Sequence, residues 1–279
     1  METFDITITN KKKWFSINIR EIIRYRDLIW LFVKRDFVAR FKQTVLGPAW
    51  AIIQPLLTTV VLTVVFGNIA GLSPTGVPAF LFYYSGTLVW SYFSACLTGT
   101  STTFTGNAHL FGKVYFPRLV MPISTVISQM ISFFIQFAFF LGFLFYYLIK
   151  GTGIAPNSWM LFTPVLLIHM ALLSMSCGII ISAMTTKYRD LAMLVSFGVQ
   201  LWMYATPIAY DYTRIIQKYL WVYMLNPMSP IVMVFRYAFL GIGYINWHYY
   251  YISVGVTLVL LLLGVGLFNR VEKNFMDTV

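Results

Sequence analysis

Few side chains in this sequence have the chemistry of a catalytic or ligand-binding group, and they are scattered. Asp190 and Asp211 border long apolar stretches, and each stands alone. His109, His169 and His248 fall in three different regions. No carboxylate pair, metal-ligand spacing or nucleophile with an orienting base emerges from these positions. His169 lies within an apolar run, where packing or an interhelical hydrogen bond is the simpler role. Cys96 and Cys177 also lie in apolar runs and read as small buried packing residues. The nearest approach to a phosphate loop is GNAHLFGKV (106–114). It has one residue too many before Gly-Lys, and Val114 where Ser or Thr is needed. Neither a metal site nor a nucleotide site is expected on this chain, and catalysis is not its expected role.

The densest polar group is NAHLFGKVYFPRLVMP (107–122), which sets Lys113 and Arg118 between tracts 43–112 and 119–149 that contain no Asp, Glu, Lys or Arg. The elements that must hold it follow from composition. The 279 residues are 59% hydrophobic and 10% charged, against roughly a quarter charged in a soluble domain. Repeated uncharged stretches of about 18 or more residues are long enough to cross a bilayer as helices, whereas a β-barrel would show short alternating segments. The expected fold is all-α and polytopic, with six transmembrane helices at about 48–70, 79–104, 120–149, 159–184, 191–209 and 250–268. Residues 1–20 read as a polar tail and 43–279 as the transmembrane domain. Between them, 21–42 carry Tyr25, Leu28, Ile29, Phe32 and Val33 at helical spacing, an amphipathic helix suited to the headgroup plane. The segment from 211 to about 245 is apolar enough for a seventh span, but Asn226-Pro227 and Pro230 interrupt it. Two short re-entrant helices are expected there, covered by protein or lining a water-filled cavity.

Charge orients the chain. The net charge is +11, and ten of the twenty Lys and Arg precede the first span, between Lys11 and Lys42. Such clustering marks a cytoplasmic side and attraction to anionic headgroups, not nucleic acid. With six spans and both termini cytoplasmic, Lys113, Arg118, Lys187, Arg189, Arg270 and Lys273 join that side. Lys150, Arg214, Lys218 and Arg236 are left for the outer loops. The N-terminus lacks a short apolar run followed by a small-residue cleavage site, so no cleaved signal peptide is expected. The spans hold no ionisable carboxylate or base of the kind ion-coupled transporters use. If the chain transports, another subunit supplies the energy. The 107–119 island then has two readings. It is a short helix held by Phe111, Tyr115 and Phe116 that docks in a groove of a soluble partner, or a capped turn that only obeys the charge rule. On a helix, Phe111 and Tyr115 share a face.

Four motifs narrow the choice. KRDFVARFKQTVLGPAWAIIQPLL (34–57), the Asn107, Leu110, Lys113, Phe116-Pro117-Arg118, Pro122 pattern, Tyr188-Arg189-Asp190, and LNPMSPIV (225–232) resemble those of type-2 ABC exporter permeases. More narrowly, the chain is similar to the Wzm and TarG family, which exports lipid-linked O-antigen, capsule or teichoic acid. Phe111-Gly112 departs from that family, which more often has an aliphatic residue and a bulkier one there. The resemblance implies a homodimer in a bacterial cytoplasmic (inner) membrane with two copies of a cognate ATPase beneath, and ATP and Mg bound on that partner. It assigns Asn107, His109, Leu110, Phe111, Lys113, Tyr115, Phe116, Pro117 and Arg118 to a coupling helix. Tyr188, Arg189 and Asp190 fall in a cytoplasmic loop, and Asn226, Pro227 and Pro230 in an outer gate. A channel would lie between the two permeases, lined mainly by the first and fifth spans.

A polysaccharide channel needs a tolerant surface, and aromatic rings give large contact with little directional demand. Of the chain, 18% is aromatic, and Trp50, Phe66, Tyr83, Tyr84, Trp90, Trp202 and Tyr204 fall near span ends. Each is either an interfacial belt residue or a sugar contact. With Gln54 and Gln200, the set Trp50, Phe66, Trp202 and Tyr204 forms the expected channel lining. Export of a drug or small lipid, and a membrane scaffold without transport, are the competing readings.

Overall fold

The computed structural model describes residues 19–42, 44–114, 116–188, 190–211 and 220–274, and every regular element among them is helical. The 1–18 tail, Tyr115, Arg189, residues 212–219 of the expected gate and residues 275–279 lie outside the described residues.

The amphipathic segment forms α1 (Ile19–Arg24) and α2 (Arg26–Phe41), separated by a turn at Tyr25. Phe32 and Val33 are buried, and Tyr25, Leu28 and Ile29 pack beside Phe32, as the spacing demands. Pro48 opens the next helix in a 3-10 turn (Gly47–Ala49), where its missing N–H costs nothing. That turn leads into α3 (Trp50–Leu62), which widens into a π-helical stretch over Thr63–Ile69. Then come α4 (Ala79–Ser101), the short α5 (Thr103–Gly106) and α6 (Ala108–Phe111), and α7 (Val120–Ile149). A 3-10 turn over Ser158–Phe162 enters α8 (Thr163–Thr185), followed by α9 (Leu191–Ala205), α10 (Leu220–Leu225), α11 (Met228–Leu240) and α12 (Trp247–Asn274).

Among the described residues, four helical stretches are long and apolar enough to cross a membrane: Gly47–Ile69, Val120–Ile149, Ser158–Thr185 and Trp247–Val271. Two of the six expected spans fall outside that set for different reasons. α9 has only 15 residues, ~22 Å at 1.5 Å per residue. α4 has 23 residues and no charge, but it is rich in Ser, Thr, Tyr and Trp. It is the central helix, packed on α3, α7, α8, α9 and α11, and most of its hydroxyl-bearing residues are buried. Thr100 Oγ1, for example, donates to Cys96 O at 2.7 Å.

Lipid tails are as apolar as the core, so close backbone packing holds such helices together. Glycines mark the tight crossings. A Cβ on Gly178 of α8 would overlap the Thr100 side chain and lie 2.9 Å from Leu97 O on α4. One on Gly99 would meet Thr125 of α7 at 2.7 Å, and one on Gly264 of α12 would meet Ser176 O at 3.1 Å. Gly178→Ala is therefore expected to cost about 1–3 kcal/mol by overpacking. Gly198→Ala should be neutral, because nothing lies within 4 Å of its added Cβ. Thermal unfolding of the two variants in detergent distinguishes them; equal midpoints would contradict the crossing.

Two aromatic clusters complete the core. Tyr84, Phe133, Phe140, Phe235 and Phe239 join α4, α7 and α11, with Phe140 and Phe239 5.5 Å apart. At the end formed by α2 and α6, Phe32, Phe104, Phe111, Phe116 and Phe268 pack together, Phe104 and Phe268 at 4.4 Å. The far end of α11 is closed by the 155–157 segment, whose Ala155 and Asn157 N–H groups donate to Leu240 O and Ala238 O. Gly241 ends the helix at φ +72°, and a Cβ there would press on Ala155 O at 2.6 Å.

Candidate functional site: a polar cleft between helices

Three helices each turn a polar stripe toward a common cleft of about 540 Å³. α3 contributes Ala51, Gln54, Pro55 and Thr58, and α4 contributes Thr87, Ser91, Ser94 and Thr98. α7 contributes Gln129, Ser132, Phe133 and Gln136. Each set follows i, i+3 or i+4, i+7, one face of an α-helix. Trp50, Trp90, Tyr92 and Met203 add apolar surface, and Arg40, at the end of α2, closes one end.

The stripes are held in place by their own bonds. Ser91 Oγ donates to Gln136 Oε1 at 2.6 Å, and Tyr84 Oη donates to the Gln136 carbonyl at 3.1 Å. Thr87 and Thr59 share a hydrogen bond of 2.7 Å between α4 and α3. Arg40 Nη1 donates to Gln129 Oε1 at 2.7 Å and Ser132 Oγ at 3.1 Å. Among the described residues no carboxylate or histidine lines the cleft, so these offer no general acid or base there. Amides and hydroxyls can both give and accept hydrogen bonds, and the indoles of Trp50 and Trp90 supply flat apolar area. Such a surface suits a neutral, hydroxyl-rich ligand.

A second polar centre joins the helix break to the bundle. Asn226, between α10 and α11, accepts from Trp202 Nε1 at 3.0 Å and from the Met228 N–H at 3.1 Å. Its Nδ2 donates to Thr206 Oγ1 at 2.9 Å and Ala205 O at 3.2 Å. One side chain thus starts α11 and ties it to the end of α9. Pro227 O accepts from Ser253 Oγ at 2.6 Å, which also lies near His169 on α8. His169 Nε2 is 3.0 Å from Thr257 Oγ1 of α12, an interhelical contact with no catalytic partner.

The family model of the ABC-2 type transporter matches residues 27–240, which include the three striped helices and the Asn226 centre. The chain belongs to the ABC-2 type transporter family. It is 29% identical over 253 residues to the O-antigen export system permease protein RfbA of Klebsiella pneumoniae, covering 90% of this chain and 94% of that protein. A protein of the same name from Myxococcus xanthus is 26% identical over 268 residues, 94% of this chain and 98% of the relative.

The expected site residues of this ABC-2 type transporter chain fall in different parts of the bundle. Of the expected channel lining, Trp50 and Gln54 reach the cleft. Gln200 and Tyr204 are exposed on α9 outside it, and Phe66 packs against the main core. Trp202 turns inward, edge-on to Phe93 at 5.1 Å, because Asn226 takes its N–H. Tyr83 and Tyr84 are fully buried in α4 and are not interfacial rings. Pro230 does not break the chain: it stands in the first turn of α11, where a helix has no partner for an N–H.

The 107–119 island differs most. α6 ends at Phe111, and Tyr115, expected on the same face, lies outside the described residues. Phe111 is 6% exposed, packed on Phe104 and Phe116, with the buried Arg118 guanidinium 5.4 Å above its ring. Asn107 turns back to Thr103 O, and Leu110 and Pro117 are half-buried. Phe111 and Phe116 anchor the turn to the bundle. His109, Lys113 and Val114 face outward, Val114 with 55% exposure. Tyr188 and Asp190 are also exposed, Asp190 at the start of α9.

Arg236 is not in an outer loop. It is buried in α11, its guanidinium 3.7 Å from the Phe82 ring, donating to Pro207 O at 2.5 Å, Ile208 O at 2.8 Å and Ser85 Oγ at 3.3 Å. Gly86 makes the room: a Cβ there would lie 2.7 Å from Arg236 Nη2. Counting charges by loop could not find it, because the count assigns every residue between two expected spans to one loop. The stripes on α4 and α7 did carry a signal, hydroxyls and amides at helical spacing inside uncharged runs.

Proposed function

We propose that this chain is the permease of an ATP-driven exporter that moves lipid-linked polysaccharide across the cytoplasmic membrane of a bacterium. The observation that carries this reading is the cleft: amide, hydroxyl and indole groups with no carboxylate, set among membrane-crossing helices. A sliding glycan needs many weak, uncommitted partners, and the amides and hydroxyls spaced along the cleft supply them beside its indoles. The relatives named as O-antigen export permeases, matched along nearly the whole chain, support the same substrate class.

In this reading, α4 and α9 join the four longer stretches as spans, with both termini cytoplasmic. Two copies of the chain enclose the path, and two ATPase subunits bind ATP and Mg; none binds here. The ATPase meets the exposed turn of His109, Lys113 and Val114. α10 and α11 form an outer gate whose setting Asn226 links to α9. Expression of this chain with its cognate ATPase, in a cell making the lipid-linked polymer, tests the proposal. Polymer is expected at the cell surface only when both proteins are present. Polymer held inside, with both proteins in the membrane, would overturn it.

A further inference from the structure

We propose that His169 is a positioning residue for the break between α10 and α11: its Nε2–H fixes Ser253 of α12, and Ser253 in turn holds the Pro227 carbonyl. The proposal rests on the reading of α10 and α11 as a gate and adds what ties the break in that gate to the bundle.

A count of protons carries it. Thr257 Oγ1 donates to Ser253 O at 2.8 Å, and Ser253 Oγ donates to Pro227 O at 2.6 Å. A hydroxyl has one proton to give, so both are spent on carbonyls. Toward His169 the two oxygens can only accept, at 3.0 Å for Thr257 and 3.4 Å for Ser253. Nε2 must therefore carry the imidazole proton, and the surroundings alone fix that tautomer. Nδ1 is buried and has no partner among the described residues, so the polar role of His169 lies at Nε2. Ser253 and Thr257 are four apart on α12 and share a face, which lets one N–H meet both. The buried Tyr250 ring packs edge-on against the imidazole at 5.4 Å and holds it in place.

Adjacent residues thus grip the break from two sides. The Asn226 side chain fastens to Trp202 and Thr206, at the end of α9. Pro227 has no N–H, so its carbonyl is the one backbone group by which it can be held, and that group goes to α12 and through it to α8. The same α8 reaches the opposite end of the bundle, where Ser182 Oγ accepts from the Phe104 N–H at 3.2 Å. His169 and Ser182 are ~20 Å apart along one continuous helix. Phe104 packs on Phe111 of the island. A shift of α8 would therefore move the anchor of the island and the break together.

Amide hydrogen exchange of the full chain in detergent tests the proposal, read over 226–232 and, as a control, over α4. H169L removes the donor and S253A removes the link to Pro227. Each should exchange about threefold to tenfold faster over 226–232, the factor that a hydrogen bond of ordinary strength is worth, with α4 unchanged. H169Q should stay close to wild type, because a carboxamide N–H can stand where the imidazole Nε2–H does. H169L combined with S253A should exchange no faster than S253A alone, since both act through one carbonyl. Unfolding midpoints identify a variant that fails to fold, and S253A then carries the comparison. Wild-type exchange over 226–232 in both H169L and S253A would overturn the proposal, as would acceleration equally large in α4 or H169Q as fast as H169L. Surface polymer, made with the cognate ATPase present, should fall in the same order as the exchange rises. Faster exchange with undiminished export would support the positioning contact and count against α10 and α11 as the gate.

Discussion

Arg236→Ala is expected to lower stability by about 3–5 kcal/mol, the scale for removing one member of a buried charged network. The guanidinium satisfies the Pro207 and Ile208 carbonyls just after α9, covers the Phe82 ring and lies close enough to the buried Asp211 to attract it. Truncation leaves two buried carbonyls without those donors and opens a void next to Gly86. α4, α11 and the turn after α9 would lose their shared anchor, so the damage should spread through that end of the bundle. Arg236→Lys should recover only part of the loss, because an ammonium cannot make the same several-point contact. The thermal unfolding midpoint in detergent measures both variants. A wild-type midpoint for Arg236→Ala would mean that the buried charge supports nothing.

Phe111→Ala is expected to cost about 3–5 kcal/mol, as for other aromatic-to-alanine changes in packed cores. The ring is central to the cluster of Phe104 and Phe116, and it supports the Arg118 guanidinium. Loss of ATPase binding in this variant would therefore follow from a loosened turn and not from a lost docking anchor. A paired change on the exposed side, Lys113→Ala with Val114→Asp, separates the two. It should leave the unfolding midpoint near wild type, because both side chains are exposed, and should weaken capture of the cognate ATPase. The opposite pattern, a stable Phe111→Ala and an unstable surface pair, would reverse the assignment of buried and exposed faces.

Apolar run length marks in this sequence the four longest apolar helical stretches, because uncharged stretches have few alternatives in a bilayer, but it did not separate them from α4 and α9. The expected 120–149 span coincides with Val120–Ile149. The break at Asn226-Pro227 was equally legible, since proline removes a donor and restricts the residue before it. The apolar face of 25–33 was readable from its 3.6-residue period. Each of these features depends on a residue and its near neighbours along the chain.

Facing decisions inside the bundle were a different matter. Whether Phe111 meets a partner or the core depends on Phe104, Phe116 and Phe268 arriving from other helices. Trp202 turns away from the cleft because Asn226, 24 residues on, takes its N–H. Arg236 can be buried only because Gly86, 150 positions earlier, leaves room and Pro207 and Ile208 offer carbonyls. In the cleft, Arg40 meets Gln129 and Ser132 across about 90 residues of chain. Local pattern determined which segments are helical and apolar; tertiary packing decided which polar groups meet, because their partners are distant in sequence and close only once the helices cross.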